Sequence, residues 1–485
     1  MLLLKPLPEA QTLIFTLNSL LLSQKKQTLT KTQCVFVAFV ITAMAISGQL
    51  NWNWISRASL GRVSSTALSW MFRCAKIRWG ELQQAATYHL LQLFEVFEVH
   101  LVVDDTDRPR SKTMKTLFGV FKTFDKKTGG FFQAQNIVFV LVVSKVFTFP
   151  IAFAFYQPDP VYSAWLREIK KLKKKKVPQS QWPKEPIRDH HKYPTKTEVA
   201  AILLGQVKTF FSSITILVQG MPRKIRVITI SADADFFSKV FKREVRRLFK
   251  KAQFVSQLKR TQICCNRNGS KKTIEAYFSH QPVIEAMIRL RGGKEKKVFF
   301  CSARLWIKSH GERIHVVALR YEGEDNYRYL AAANLTWRSL DIVRAYSLRW
   351  LIEVAIEDWK QYDGFGRKAS QRGVDGACCG VHLSLLVDCF LLSHAYQFRL
   401  FKAGKSLCTA GSLVRTLQLE NLLNTIKELI ADPNLPEKVD EISEALAKSI
   451  AELRPSSKHM NGRDIGDFGP MQPESCSDEL ELEPT

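Results

Sequence analysis

Two apolar runs that each end in acids constrain this chain more than any other feature. Val99-His100-Leu101-Val102-Val103 runs directly into Asp104-Asp105-Thr106-Asp107 before Pro109 stops it, and the run at 225–230 leads into Ser231-Ala232-Asp233-Ala234-Asp235. Short apolar runs rich in β-branched residues read as buried strands. Acids at the end of such a strand have two readings: they cap the following turn, or they hold a divalent cation at the edge of the core. Successive side chains alternate across a strand, so Asp104 and Asp105 point to opposite faces and only one can share a site with its strand neighbours. Asp235 competes with Asp233 in the same way.

The pattern around these strands is α/β. Strands at 137–143 and 147–155 follow the first acidic run as an antiparallel meander whose first member carries the acids. Residues 237–252 read as a helix with an apolar stripe at Phe237, Val240, Phe241, Val245 and Leu248, and a further strand follows at 254–258. From 259 to 336, short strands at 298–307, 314–321 and 329–332 alternate with Gly- and Lys-rich turns, a β-rich insertion before the helical region that begins near 337. The segment 166–198, with Lys170, Lys171, Lys173 to Lys176 and four prolines, reads as an exposed basic loop. Helices are expected at 374–400, 413–430 and 439–453, with 401–460 a candidate dimerisation region and 461–485 a disordered acidic tail.

Residues 1–95 show helical spacing throughout. Arg57, Arg62, Arg73, Lys76 and Arg78 are interleaved with Trp52, Trp54, Trp70 and Trp79, which fits a small DNA-binding domain and a helical cap on the main domain equally well. The apolar run at 34–47 is shorter than the ~20 residues a membrane-spanning helix needs, so a buried helix is expected there.

Charge narrows the partner. Lys plus Arg number 71 against 45 Asp plus Glu, a formal +26, which attracts a polyanion; nucleic acid comes first and an anionic membrane surface second. The ten Cys form no C-x-x-C pair and read as thiols of a reducing compartment, no H-E-x-x-H is present, and Gly292-Gly293-Lys294 lacks the remainder of a phosphate-binding loop.

The stretch 346–360, YSLRWLIEVAIEDWK, contains no Pro or Gly and reads as one helix. At about 100° per residue, Tyr346, Arg349, Glu353 and Lys360 share a narrow stripe flanked by Trp350 and Glu357. By itself such a stripe is most often a solvated face with ordinary i, i+4 neighbours. Beside two strand-end acids and a strongly basic chain, one carboxylate among cations and aromatics suits a polyanion held beside a metal.

The spacing Tyr346-x2-Arg349-x3-Glu353-x6-Lys360 resembles the signature of bacterial insertion-sequence transposases of the insertion-sequence-4 type, within the Asp-Asp-Glu superfamily. LVVDDTDRP at 101–109 is similar to that family's first acidic strand, ISADADFF at 230–237 to its second, and RWLIEVAIEDWKQYDGFG at 349–366 continues the signature. The likeness covers roughly residues 90–400. It implies a ribonuclease-H-like (retroviral-integrase-like) catalytic core, in two parts at 96–258 and 337–400, interrupted by the β-rich insertion. It also implies two Mg²⁺ or Mn²⁺ ions held by Asp104, Asp233 and Glu353. Tyr346, Arg349 and Lys360 would bind DNA phosphates, and Trp350 would stack on an extruded base. The function implied is cut-and-paste transposition on terminal inverted repeats by a homodimer, in a bacterial cytoplasm, without a membrane. An inactive DNA-binding regulator and a nuclease without strand transfer are the alternatives, and Glu357 is the substitute for Glu353 to exclude.

Overall fold

The computed structural model describes residues 2–110, 117–124, 129–265, 269–289, 295–362 and 373–431, with positions 439 and 443. The chain divides into two units, Met1–Glu428 and Leu429–Thr485. Apart from positions 439 and 443, the helix expected at 439–453 lies outside the described residues, as do the acidic tail and the end of the 349–366 motif.

The fold is mixed α/β. Its strands are β1 (Glu98–Arg110), β2 (Val120–Phe124), β3 (Phe131–Val143), β4 (Thr148–Tyr156), a small ribbon of β5 (Ile216–Val218) and β6 (Met221–Arg223), then β7 (Arg226–Ala232) and β8 (Gln253–Leu258). The β-rich region supplies β9 (Ile263–Cys265), β10 (Lys271–Thr273), β11 (Ile284–Arg289), β12 (Glu295–Ile307), β13 (Glu312–Tyr321) and β14 (Arg328–Ala332). Apart from the ribbon these form one sheet in the order β10-β9-β12-β13-β14-β8-β7-β1-β3-β2, with β4 also on β3 and β11 also on β12. β1, β7 and β8 run parallel, and β3 and β4 form the antiparallel meander beside β1. A large mixed sheet of this kind is consistent with a ribonuclease-H-like core. The β-rich region continues the same sheet through β14 on β8.

The helices are α1 (Pro8–Ser23), α2 (Lys31–Ser47), α3 (Trp52–Ala58), α4 (Ser65–Cys74), α5 (Trp79–Leu93), α6 (Pro160–Lys174), α7 (Lys196–Ser213), α8 (Lys239–Leu248), α9 (Ile274–Phe278), α10 (Ser339–Ser347), α11 (Trp350–Tyr362), α12 (Gly373–Ser393), α13 (Ala395–Lys402) and α14 (Ala410–Ile430). The apolar run at 34–47 is α2. Thr30 and Gln33 close its N-terminus as a capping box, and Gly48, at φ +64°, ends it in a left-handed turn that suits glycine. It is apolar on every side because it is buried among α1, α4 and α12. Among the described residues α12 is long and apolar enough to cross a bilayer, and 61% of its apolar window is buried inside the fold. Side chains from α1–α5, the sheet and α12 share one hydrophobic core.

Five sequence expectations need correction. The first acids do not end their strand: β1 runs on through Asp104, Asp105, Asp107 and Pro109 to Arg110, because the equally long β3 pairs with it along that whole stretch. The stretch 346–360 is two helices: α10 ends at Ser347, and Arg349 lies in the turn before α11. There the backbone tightens to i→i−3 bonds, Arg349 N–H to the Tyr346 carbonyl (2.9 Å), Leu351 N–H to Leu348 (3.0 Å) and Ile352 N–H to Arg349 (3.1 Å), while the Ser347 hydroxyl donates back to Arg344 (2.6 Å). The first part of the basic segment is helix α6, capped by the Asp159 carboxylate on the Val161 and Tyr162 N–H groups, with its lysines gathered at the C-terminal end where the helix dipole favours cations. The helix expected at 374–400 breaks at His394, whose ring caps α13 through the Tyr396 N–H. In α8, Val240 is 75% exposed, whereas Phe241 and Val245 are buried as expected.

Candidate active site

Sheet register brings Asp104 and Asp233 together. β1 and β7 pair in parallel with Val103 beside Ala232, at the usual strand spacing of about 4.8 Å, so Asp104, midway along β1, is next to the point where β7 ends and Asp233 follows. The Asp104 side chain is 17% exposed. Burial pushes its carboxyl up to about 7, against the Asp105 N–H (2.8 Å) and Arg349, which favour the anion, and with Asp105 and Asp233, whose negative charges oppose it. Asp104 therefore feels the charge of Asp233.

Arg349 joins them to α11. Its guanidinium donates to Asp104 Oδ2 (3.1 Å) and to Glu353 Oε1 (2.6 Å). Burial works to lower its pKa, but Tyr346, Asp104, Glu353 and Asp233 together raise it above the ordinary value. Glu353 lies in the first turn of α11, where the helix dipole favours a carboxylate. The three acids do not bring their oxygens within 4.8 Å of one another as a set, and the guanidinium bridges two of them.

Alternation sorts the competing acids. Asp105 points to the other face of β1, where it accepts from Lys196 Nζ (2.7 Å) and Asn136 Nδ2 (2.6 Å); Asn136 also donates to Asp107 (2.9 Å). Asp235 follows in a short 3₁₀ turn with its side chain 67% exposed, 3.6 Å from Lys259. Glu353 and Glu357 are both exposed on α11, and what sets Glu353 apart is its pairing with Arg349. Asp235→Asn and Glu357→Gln are therefore expected to leave metal-dependent DNA nicking within about threefold of wild type, as surface changes usually do; a nicking assay with either variant checks this, and a complete loss would move the site.

Tyr346 is 8% exposed, its hydroxyl donates to Gln257 Oε1 (2.9 Å), and burial raises its pKa; Arg349 stands over its ring at 5.9 Å. Trp350 is 62% exposed. Lys360 Nζ donates to Thr106 Oγ1 (2.7 Å) and the Asp107 carbonyl (3.0 Å), on β1 just past Asp104. It thereby ties α11 to the acid-bearing strand. Lys360→Ala is expected to lower the thermal midpoint, at a cost of about 1–2 kcal/mol for two charge-assisted bonds, which calorimetry would register.

Some of this surface was not foreseen. Lys296, Tyr321 and Arg328, from the β-rich region, line a cavity of about 670 Å³ with Arg349, Trp350 and Glu353. Only cross-strand register brings these three to the site, since they follow no spacing in sequence. Gln257 reaches Tyr346 in the same way, from the end of β8.

A separate group, Glu9, His394 and Glu420, has the ligand spacing of a metal site. His394 Nδ1 accepts the Tyr396 N–H (3.3 Å), so the neutral ring carries its proton on Nε2, 4.0 Å from Glu420. A metal-bound histidine donates from its second nitrogen instead.

No family model and no curated protein matches the chain. Among solved structures, a piggyBac transposase synaptic complex with hairpin DNA superposes at a TM-score of 0.36 and 11% identity, covering 95% of this chain and 87% of that one. At that score the likeness carries no argument about fold or function.

Proposed function

We propose that the chain is a divalent-metal-dependent DNA transposase of the Asp-Asp-Glu type, with Asp104, Asp233 and Glu353 as its carboxylates. The observation that carries this reading is the parallel register that sets Asp104 beside Asp233, with Arg349 linking Asp104 to Glu353 on α11. An all-oxygen carboxylate set suits hard cations such as Mg²⁺ or Mn²⁺, and a cation there would offset both the burial that chiefly raises Asp104 and the smaller push from the Asp105 and Asp233 charges. Bound there, such ions supply activation of the attacking oxygen and stabilisation of the leaving one.

The chain's own residues do the rest. Arg349, now a counter-ion to two acids, is the group a DNA phosphate would draw away, since guanidinium pairs with phosphate in fork geometry. Its departure frees both carboxylates, which couples DNA arrival to readiness of the site. Tyr346, held by Gln257, walls one side, and exposed Trp350 offers an indole face to a base. Terminal-inverted-repeat binding, paired-end assembly by a homodimer and strand transfer complete the proposal.

Incubating the protein with Mg²⁺ and DNA that carries the ends flanking its reading frame tests the reading. End-specific nicking followed by joined product supports transposition. Nicking without joining under any condition would favour a nuclease of the same fold.

A further inference from the structure

A cavity of about 990 Å³ lies away from the acids and is unused by that chemistry. It forms where α10 stops covering the sheet. On β12, Val298 and Phe300 are buried in one cluster with Ile342, Val343 and Tyr346 of α10, while Ser302, Arg304 and Trp306, which follow on the same face by alternation, are exposed. On the neighbouring strand Arg313 stands opposite Trp306, and His315 opposite Arg304.

The N-terminus of α10 forms the second wall. Ser339 donates to Ser302 Oγ (2.8 Å) and lies 3.4 Å from His315 Nε2; the helix has no side-chain cap, but its Asp341 N–H is taken by the Arg338 carbonyl (3.1 Å) and the Asp341 carboxylate in that turn pairs with Arg338 (2.7 Å). Trp337 and Tyr277 add aromatic surface, and no carboxylate is among the described residues that line the cavity. Arg304 donates to the Leu335 carbonyl (3.1 Å), and neither Arg304 nor Arg313 has a carboxylate partner among the described residues.

The Arg304 and Arg313 guanidinium groups fit phosphate. The exposed Trp306 indole fits a base, and because it stands on β12 its position is fixed before a ligand arrives. In a duplex the base faces are hidden in the stack, so an indole that is to stack needs an unpaired base. We propose that this cavity binds a single-stranded stretch of DNA, with Trp306 against a base and Arg304 and Arg313 on its phosphates. His315 is in register with Ala332, Val255 and Ser231, so the cavity lies three strand spacings, roughly 15 Å, from the strand of Asp233. A strand freed at the acids has that distance to travel. The proposal rests on the transposase reading only for its choice of DNA over RNA.

The test is fluorescence-anisotropy titration of the full chain, in EDTA, with a labelled short oligothymidylate, a duplex of equal length and an oligouridylate. Trp306→Ala, and separately Arg304→Glu with Arg313→Glu, are expected to weaken oligothymidylate binding about tenfold or more, with Trp306→Phe recovering most of it and duplex affinity within about twofold of wild type. Unchanged oligothymidylate binding in both Ala and Glu variants overturns the proposal, as does an equal loss on duplex. Tighter binding of oligouridylate overturns the choice of DNA. Since EDTA silences the acid site, loss of binding here can coexist with a failed cleavage test, and intact binding with a successful one, so the two readings fall separately. Thermal midpoints equal to wild type for these exposed positions show that the variants are folded.

Discussion

Asp104→Asn is expected to reduce Mg²⁺-dependent DNA nicking by about a thousandfold or more while duplex affinity changes little. The amide is isosteric and keeps an oxygen toward Arg349, but it removes the charge a hard cation needs. The same residue sets a pH dependence. Its carboxyl titrates at about 7 in the folded chain and near 3.9 when unfolded, so between those values the folded state binds the extra proton. Stability from this group is thus full below about 4 and is lost as pH rises toward 7. The metal-free thermal midpoint should fall across that window, and the Asn variant should fall less. Cation affinity should rise over the same window, because binding requires the carboxylate. Nicking rates, and melting curves at pH 5 and 8 with and without Mg²⁺, check each part.

Arg349→Ala should separate the guanidinium's two roles. It leaves Asp104 and Glu353 without their shared counter-ion, and breaking a largely buried ion pair from one side costs on the order of 2–4 kcal/mol. The loss should be larger at pH 8 than at pH 5, where Asp104 takes up a proton instead. Mg²⁺ should raise the variant's midpoint more than that of wild type, because the ion no longer competes with the guanidinium. Nicking should stay low, since the phosphate contact is gone. Melting curves over a Mg²⁺ series, read beside a nicking assay, decide this; equal Mg²⁺ shifts in both proteins would deny the competition.

Much of this arrangement was legible in the sequence because each clue was local. The apolar runs before Asp104 and Asp233 announce strands, and alternation requires Asp105 to face away. Their adjacency was not legible, because it depends on a parallel pairing across about 130 residues of sequence. The break before Arg349 escaped because nothing in YSLRW is a helix breaker; the turn is imposed by α10 packing on the sheet while α11 packs across β1 and β4. The basic segment at 166–198 read as a loop from its lysines and prolines, yet its prolines all fall after Lys174, where α6 ends. Tyr346 read as surface and is buried, since α10 lays it on Gln257.

In the proposed site Asp104, Asp233 and Glu353 hold a divalent cation. Iron-mediated cleavage of the polypeptide locates such an ion: Fe²⁺ replaces Mg²⁺, ascorbate and peroxide generate radicals at the bound ion, and the fragments report the nearest backbone. Cuts are expected next to residues 104, 233 and 353, all suppressed by excess Mg²⁺ and absent in Asp104→Asn. Cuts confined to the neighbourhood of Glu9, His394 and Glu420, or unaffected by Asp104→Asn, would contradict this assignment.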